Sequence, residues 1–332
     1  MVRNILQLTD KAQNVWHMLH GTIILYKPPR EYMAQTLHTV KVHLCRDLNT
    51  NLKQRPPRDH VFIEGPTNKE MTVTVGPSWA DHPLLTGPRY RIEDVKMLVA
   101  NWLHFDMSGI LVVGIGKGTR TARAIRDAKH ARFYRVKGIL GQATDNYFIN
   151  GKIAEKTTYN HVHRHHIDMI CAAMQSSHQK EMFKICGVPL QSQAAYDLAV
   201  QGPIRPADNK VPMVYSIKCV DFKPPEFTLE IVCTNEDHMF LKSLVHHLGM
   251  EVRSTATCTL IQCVRFGIFN LEHALLKKQW DLRCITDNMA RVLKLLKQNK
   301  FMTHQQDPIL KEYFSEEQIE SQKIPQIETQ AK

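Results

Sequence analysis

The sequence predicts an α/β (α+β) fold, a single domain of strands flanked by helices, and three stretches carry that prediction. Ile110 to Ile115 is a short apolar run bracketed by Gly109, Gly114, Gly116 and Gly118, which reads as a buried strand feeding a tight turn and a helix. Met213 to Phe222 and Phe227 to Cys233 read as two strands of a meander, split by Lys223-Pro224-Pro225. Asp237 to Leu248 sets Phe240, Leu241, Leu244, Val245 and Leu248 on one helical stripe that Gly249 is expected to end. Ser254 to Val264 then alternates as a long strand.

Composition narrows the class. A chain of 332 residues suits one large domain or two ordinary ones, and an apolar fraction of 43% suffices for a core. No apolar run reaches the length of a membrane span, so the protein is expected to be soluble or at most peripheral, with no membrane span. The formal net charge of +11, with 18 histidines in reserve, points to an anionic partner, most simply nucleic acid. Eight cysteines occur without a CxxC pair; they fit neither a zinc framework nor a secreted disulfide pattern, and read as reduced, buried thiols.

The remaining elements follow in order. Residues 1–20 carry an amphipathic pattern through Ile5, Leu6, Val15 and Leu19 and form a candidate targeting region, although Arg and Ser are sparse. Gly21 to Tyr26 reads as a strand stopped by Lys27-Pro28-Pro29, and Tyr32 to Cys45 as a helix. Asn51 to Pro66 reads as a surface loop, Glu70 to Val75 as a strand, and His82 to Pro88 as a loop. Arg91 to Ala100 reads as a strand entering the polar loop Leu103 to Ser108, where a rigid strand would hold a reactive side chain. Thr119 to His130 is expected as a helix, Ala131 to Leu140 as a strand, and Thr144-Asp145 with Gly151 as a hairpin. A helix is expected from Leu271. Beyond residue 299 the chain turns to Gln, Glu and Lys and reads as a disordered tail, which leaves one domain over 21–298.

Two familiar motifs fail on inspection. Gly114-Ile115-Gly116-Lys117-Gly118-Thr119 lacks the Ser or Thr that must follow the lysine of a phosphate loop, and Thr119 stands where a dinucleotide fingerprint needs its third glycine. His161 and His165 share one side of a helix at i, i+4, but no ligand spacing recruits a third residue, so no metal site is expected.

Leu103, Ser108, Gly109, Leu111 and Gly116 fit the pattern L-D-x-x-A-S/T-G-x-L-x-x-x-x-G, and on this motif the chain resembles the TruB-type pseudouridine synthases, closest to their mitochondrial branch. Gly21 to Pro29 is similar to the family's opening motif, Arg132-x-Tyr134 with Gly141 to Asp145 to K-x-Y…L-G-x-x-T-D, and Tyr196-x-x-Ala199-x-x-Gly202 to Y-x-x-A-R-x-G with Val200 in place of the arginine. The resemblance runs from Gly21 to Asp287. It implies the pseudouridine synthase catalytic fold, a twisted, mostly antiparallel mixed sheet flanked by helices and loops. It also implies an isomerase of uridine in structured RNA (tRNA, mitochondrial mRNA or rRNA) that works without cofactor or metal. The implied setting is the mitochondrial matrix, with RNA-processing proteins as further partners. Tyr134 inherits a base-stacking role, and Lys27, Arg120, Arg132 and Arg135 are implied RNA contacts, with Arg123 and Lys137 near them in sequence.

The chemistry singles out where the chain departs from that family. Breaking the bond between ribose and N1 and rejoining the base through C5 needs an extruded uridine and a carboxylate at the sugar, as nucleophile or base. It also needs a cation to orient that carboxylate. The family's catalytic Asp falls on His104, with Asp106 two places later, and its orienting Arg falls on Lys242, which keeps the charge without the bidentate fork. Gln262-Cys263 replace an arginine pair, with Arg265 nearby. In an extended segment His104 and Asp106 would lie about 6.5 Å apart on one side. Asp106 then reads as an exposed loop carboxylate unless a bulge or altered loop moves the backbone. The candidate catalytic residues are Asp106, His104 and Lys242, around a cleft shared with Tyr134. Two functions compete: a working synthase, and an RNA-binding or assembly factor that has lost the reaction.

Overall fold

The apolar runs of the sequence become the strands of one large sheet. In the computed structural model, which describes residues 9–201 and 211–303, the chain opens with α1 (Ala12–Met18), β1 (Gly21–Lys27) and α2 (Met33–Thr50), followed by a hairpin of β2 (Asp59–Glu64) and β3 (Thr72–Pro77). A short α3 (Pro83–Thr86) and β4 (Met97–Val99) lead into β5 (Met107–Ile115), α4 (Gly118–Asp127) and β6 (Arg132–Leu140). Next come the hairpin β7 (Gln142–Thr144) and β8 (Ile153–Lys156), then α5 (Arg164–Ile185) and α6 (Gln193–Gln201). The last third runs β9 (Met213–Lys223), β10 (Glu226–Thr234), α7 (His238–Glu251), β11 (Ala256–Phe266), β12 (Phe269–Asn270) and α8 (Leu282–Gln298).

The sheet has the strand order β1-β5-β11-β6-β10-β9, with β4 added to β5 and β12 to β11. Every neighbouring pair is antiparallel except β5 and β11, whose parallel register sets Met107 against Ile261 and Gly109 against Cys263. This is the mixed, mostly antiparallel sheet expected. All nine residues of β5 are buried, as its apolar composition requires of a central strand. Gly109 permits the parallel pairing: its φ is +118°, and any Cβ there would run into the Cys263 backbone.

Several expectations shift. The expected loop over residues 51–66 contains β2, whose exposed Val61 and Ile63 face Val75 and Val73 across the hairpin. His82 to Pro88 includes a helical turn, and Arg91 to Ala100 divides into a 3-10 turn and the short β4. Gly249 lies inside α7, not at its end; it is where the helix crosses the backbone of Thr255 and Ala256, too close for a Cβ. The helix expected from Leu271 begins eleven residues later. Leu275 first bridges Leu25 of β1, and Trp280 is buried with its indole N–H donating to the Leu275 carbonyl at 3.0 Å.

At the ends, Ala12, Val15 and Leu19 belong to the core, so the inner part of the candidate targeting region is structural. Order also continues past 299, through a 3-10 turn at Lys300–Met302 that buries Met302. The rest of the expected tail and residues 1–8 lie outside the described residues, as does Gly202 of the Tyr196 motif.

Candidate active site

The site forms at the entrance to β5, where the chain turns instead of extending. The Met107 amide donates to the His104 carbonyl at 3.0 Å, closing a β-turn over residues 104–107 with Asp106 at its third position. That turn defeats the strand-rise argument. It folds His104 and Asp106 toward one point, with His104 Nδ1 3.6 Å from Asp106 Oδ2, and carries the carboxylate inward.

Lys27 fixes the turn from below. Its ammonium, fully buried at the end of β1, donates to the carbonyls of Met107 at 2.7 Å, Pro28 at 3.2 Å and Phe105 at 3.4 Å. The Arg30 amide also donates to the Phe105 carbonyl at 2.9 Å, and Tyr32 packs on the Phe105 ring. Burial pulls Lys27 down to about 8, against the raising effect of Glu31 and Asp106. Lys27 therefore anchors the 104–107 turn, with its ammonium turned inward to three carbonyls.

Asp106 is the opposite of an exposed loop carboxylate. Its Oδ2 accepts from Lys242 Nζ at 2.6 Å, with side-chain exposures of 6% and 4%. The second oxygen, Oδ1, lies 3.4 Å from Asn150 Nδ2 of the β7–β8 hairpin loop. Lys242 projects from α7, which Asp237 caps, and its ammonium sits over the Phe148 ring at 4.8 Å. Three separate parts of the chain thus converge on one carboxylate.

His104 stands over this pair. Its ring stacks on His238 with centroids 3.8 Å apart and planes 4° from parallel, and its side chain is 37% exposed. At 3.6 Å its Nδ1 is within ion-pair range of Asp106 but too far for a hydrogen bond. Burial, then the charges of His238 and Lys242, lower its pKa and favour the neutral ring, with Asp106 and Asp237 opposing.

Beside His104 opens a cavity of about 230 Å³, lined among others by Trp102, Met107, Lys129, Arg132, Tyr134 and Glu236. Tyr134 belongs to it but is 1% exposed, its hydroxyl donating to Glu236 Oε1 at 2.7 Å. It serves as wall more than as a free stacking face. Burial, then Glu236, raises its pKa well above the usual phenol range, with Arg132 opposing. Arg132 NH1 donates to the same Oε1 at 2.6 Å. Burial works against the Arg132 charge, but Glu236 and Tyr134 together outweigh it and raise its pKa.

The other basic candidates lie elsewhere. Arg135 alternates to the far face of β6 and pairs with Glu230 at 3.0 Å, and Lys137 shares that exposed face. Arg120 and Arg123 are exposed on α4, and Arg120 follows the far end of the nine-residue β5, about 25 Å from Met107 by strand rise. Arg265 does not replace the missing arginine pair: its Nε donates to the Gly267 carbonyl and its guanidinium covers Phe133. Gln262 instead donates to the Tyr26 hydroxyl at 3.2 Å. Among the described residues no group of three or more His, Cys, Asp or Glu is arranged to hold a metal ion, the His161–His166 run included. No described helix is long and apolar enough to cross a membrane.

The residues that sequence reasoning missed are Asn150, His238 and Glu236. Glu236 and Asp237 precede a helix, where carboxylates commonly serve the helix dipole, so nothing local marks Glu236 as part of a cavity.

A buried carboxylate–cation pair thus stands at the mouth of a central strand, beside an aromatic-lined cavity. The chain belongs to the TruB family of pseudouridylate synthases, whose N-terminal domain model matches residues 100–239. It is 39% identical over 281 residues to the mitochondrial pseudouridylate synthase TRUB2 of Xenopus tropicalis, covering 82% of this chain and 86% of that one. Human TRUB2 is 39% identical over 275 residues, 81% and 82% of the two chains. Mouse pseudouridylate synthase TRUB1 is 30% identical over 190 residues, 57% and 55%. Among solved structures, the archaeal box H/ACA sRNP Nop10-Cbf5 complex aligns with a TM-score of 0.41 at 14% identity, covering 88% of this chain and 61% of that one, so the chain spans about three-fifths of its length.

Proposed function

We propose that the protein is an RNA pseudouridine synthase whose working carboxylate is Asp106, delivered by the 104–107 turn and oriented by Lys242. One observation carries the reading: the 2.6 Å contact between Asp106 Oδ2 and Lys242 Nζ, sealed from solvent on both sides. It supplies, with a lysine, the carboxylate and cation that the reaction requires. At the sugar of an extruded uridine the carboxylate acts as nucleophile on C1′ or as base, and the N1–C1′ bond breaks. The base turns and C5 bonds to C1′; the C5 proton departs and N1 gains one, so no atom is lost and no co-reactant is used. His104 lines the cavity and Asp106, 3.6 Å from the His104 ring, does not. The net charge of +11 supports an RNA substrate and the names of the relatives support a mitochondrial setting; we further propose that the RNA is structured, a tRNA or mitochondrial mRNA, and the compartment the matrix.

A second reading, an RNA-binding or assembly factor without turnover, draws on one observation: His104 lines the cavity and Asp106 does not. Purified protein incubated with mitochondrial RNA, with pseudouridine counted by mass spectrometry, separates the two. Product from wild type that vanishes in Asp106→Ala supports the synthase. No product from wild type, with product appearing in a His104→Asp, Lys242→Arg variant, supports the binding factor.

A further inference from the structure

Away from the 104–107 turn, two helices carry almost all of their charge as cations. Along α4 and the residue before it, Lys117, Arg120, Arg123 and Arg126 are exposed, and Asp127 is the one carboxylate. On the second half of α8, Arg291, Lys294 and Lys297 are exposed, and no acidic residue follows Asp287 up to residue 303. Of these cations only Arg126 has a carboxylate within ion-pair range among the described residues, Asp127 at 3.5 Å.

The fold sets the two helices beside each other. Gly118, the first residue of α4, and Met289 of α8 both pack on Gly21 of β1, so closely that a Cβ on either glycine would collide. At the other end His130, just past α4, holds its Nε2 2.9 Å from the carbonyl of Met302, just past α8. Gly118 to Asp127 and Met289 to Gln298 each cover about 14 Å by helical rise. Stiff segments of equal length that share both end contacts run side by side in the same direction. Lys129, which follows α4, lines the cavity beside His104, so the cations continue to the site.

The composition of this surface selects its partner. Cations without carboxylates suit a row of phosphates and carry no sequence information. A single strand is held by aromatic side chains on which its bases stack, and neither helix contains an aromatic residue. A helix that lies in an anionic membrane needs an apolar face beside its cations. Of the large apolar side chains on the two helices only Leu293 is exposed, at 43%. The partner that fits is the backbone of a double helix.

We propose that α4 and the second half of α8 form a second RNA surface, which grips the backbone of a double-helical segment flanking the uridine at the cavity. It rests on the RNA substrate proposed above and not on turnover.

Binding tests it directly. Wild-type protein and an Arg120→Gln, Arg123→Gln, Lys294→Gln, Lys297→Gln variant are titrated with an RNA hairpin carrying uridines in its loop, and with oligouridine of equal length, over a range of salt concentrations. A second variant, Lys69→Gln, Lys180→Gln, Lys184→Gln, Lys223→Gln, removes the same charge from exposed positions elsewhere. The first variant is expected to bind the hairpin at least about tenfold more weakly, with a salt slope shallower by about two to four. Its affinity for oligouridine should fall less than about threefold, and the second variant should stay within that margin of wild type on both RNAs. Circular dichroism checks each fold. If the first variant does not fold, its arginine pair and its lysine pair are replaced separately, each expected to lower the slope by about one to two. Unchanged hairpin affinity and slope, an equal loss on oligouridine, or an equal loss in the second variant overturns the proposal. So does a wild type that binds vesicles of phosphatidylglycerol and phosphatidylcholine but not the hairpin. Hairpin binding as expected without any pseudouridine product refutes only the synthase reading. Product formation with the first variant's slope unchanged refutes only this proposal.

Discussion

Replacing Lys242 by Met keeps most of the side chain's length, one atom short, and removes its charge, leaving Asp106 buried beside an apolar stem. With Asp106 6% exposed and Asn150, at 3.4 Å, its one other side-chain hydrogen-bond partner among the described residues, little remains to solvate the carboxylate. Removing one member of a buried pair costs about 3–5 kcal/mol, and Lys242→Met is expected to fall in that range. Adding Asp106→Asn removes the stranded charge, so the double variant should recover part of the loss, with a coupling energy of about 2 kcal/mol. Urea unfolding of wild type, both single variants and the double variant gives the cycle directly, provided the slopes stay constant. A Lys242→Met cost under about 1 kcal/mol, or strictly additive variants, would show that water reaches the carboxylate in solution. The account of the site would then be wrong at its root.

Four further outcomes follow from the structure. Lys27→Met removes the donor shared by three carbonyls beneath the catalytic turn and should cost about 1–3 kcal/mol, read from the same urea midpoints. Burial lowers Lys27 to about 8 from its ordinary 10.5, so the unfolded chain binds more protons between those values. Wild-type stability measured against Lys27→Met should therefore rise from pH 8 to 10.5 and be smallest below pH 8. Gly249→Ala improves helix propensity by about 1 kcal/mol, yet it should lower the melting temperature because its Cβ meets the Ala256 backbone. Met302→Ala should cost about 2–5 kcal/mol by emptying a buried site; an unchanged unfolding midpoint would show that the segment after 299 is detached in solution.

Much of the fold was legible because burial writes itself into composition. β1, β5, β6, β9, β10 and β11 each appear as apolar or alternating runs, and all six pair in the large sheet, though in the order β1-β5-β11-β6-β10-β9 and not that of the sequence. The β2 strand was hidden in a stretch rich in Pro, Asn and Arg, since a ribbon exposed on both faces needs no polar alternation. The end of α7 was misplaced because a glycine at a close backbone crossing looks the same as a glycine that ends a helix. At the site, His104, Asp106 and Lys242 were named from motif positions, but their distances were not accessible. Asp106 looked stranded only under the assumption of an extended backbone. The turn that moves it inward is held by Lys27, some eighty residues away, and by Lys242, 136 residues away. Glu236 left no local mark, because its bonds to Arg132 and Tyr134 exist only once the chain has folded.

The most direct test of the central claim is single-turnover pseudouridine formation by Asp106→Asn, with RNA affinity measured in parallel at fixed salt. Asparagine preserves shape and keeps one acceptor for Lys242, but it can neither attack a sugar nor accept its proton. The account predicts unchanged RNA binding and product at least about a hundredfold slower than wild type. An active wild type matched by an equally active Asp106→Asn would contradict it and return the chemistry to His104.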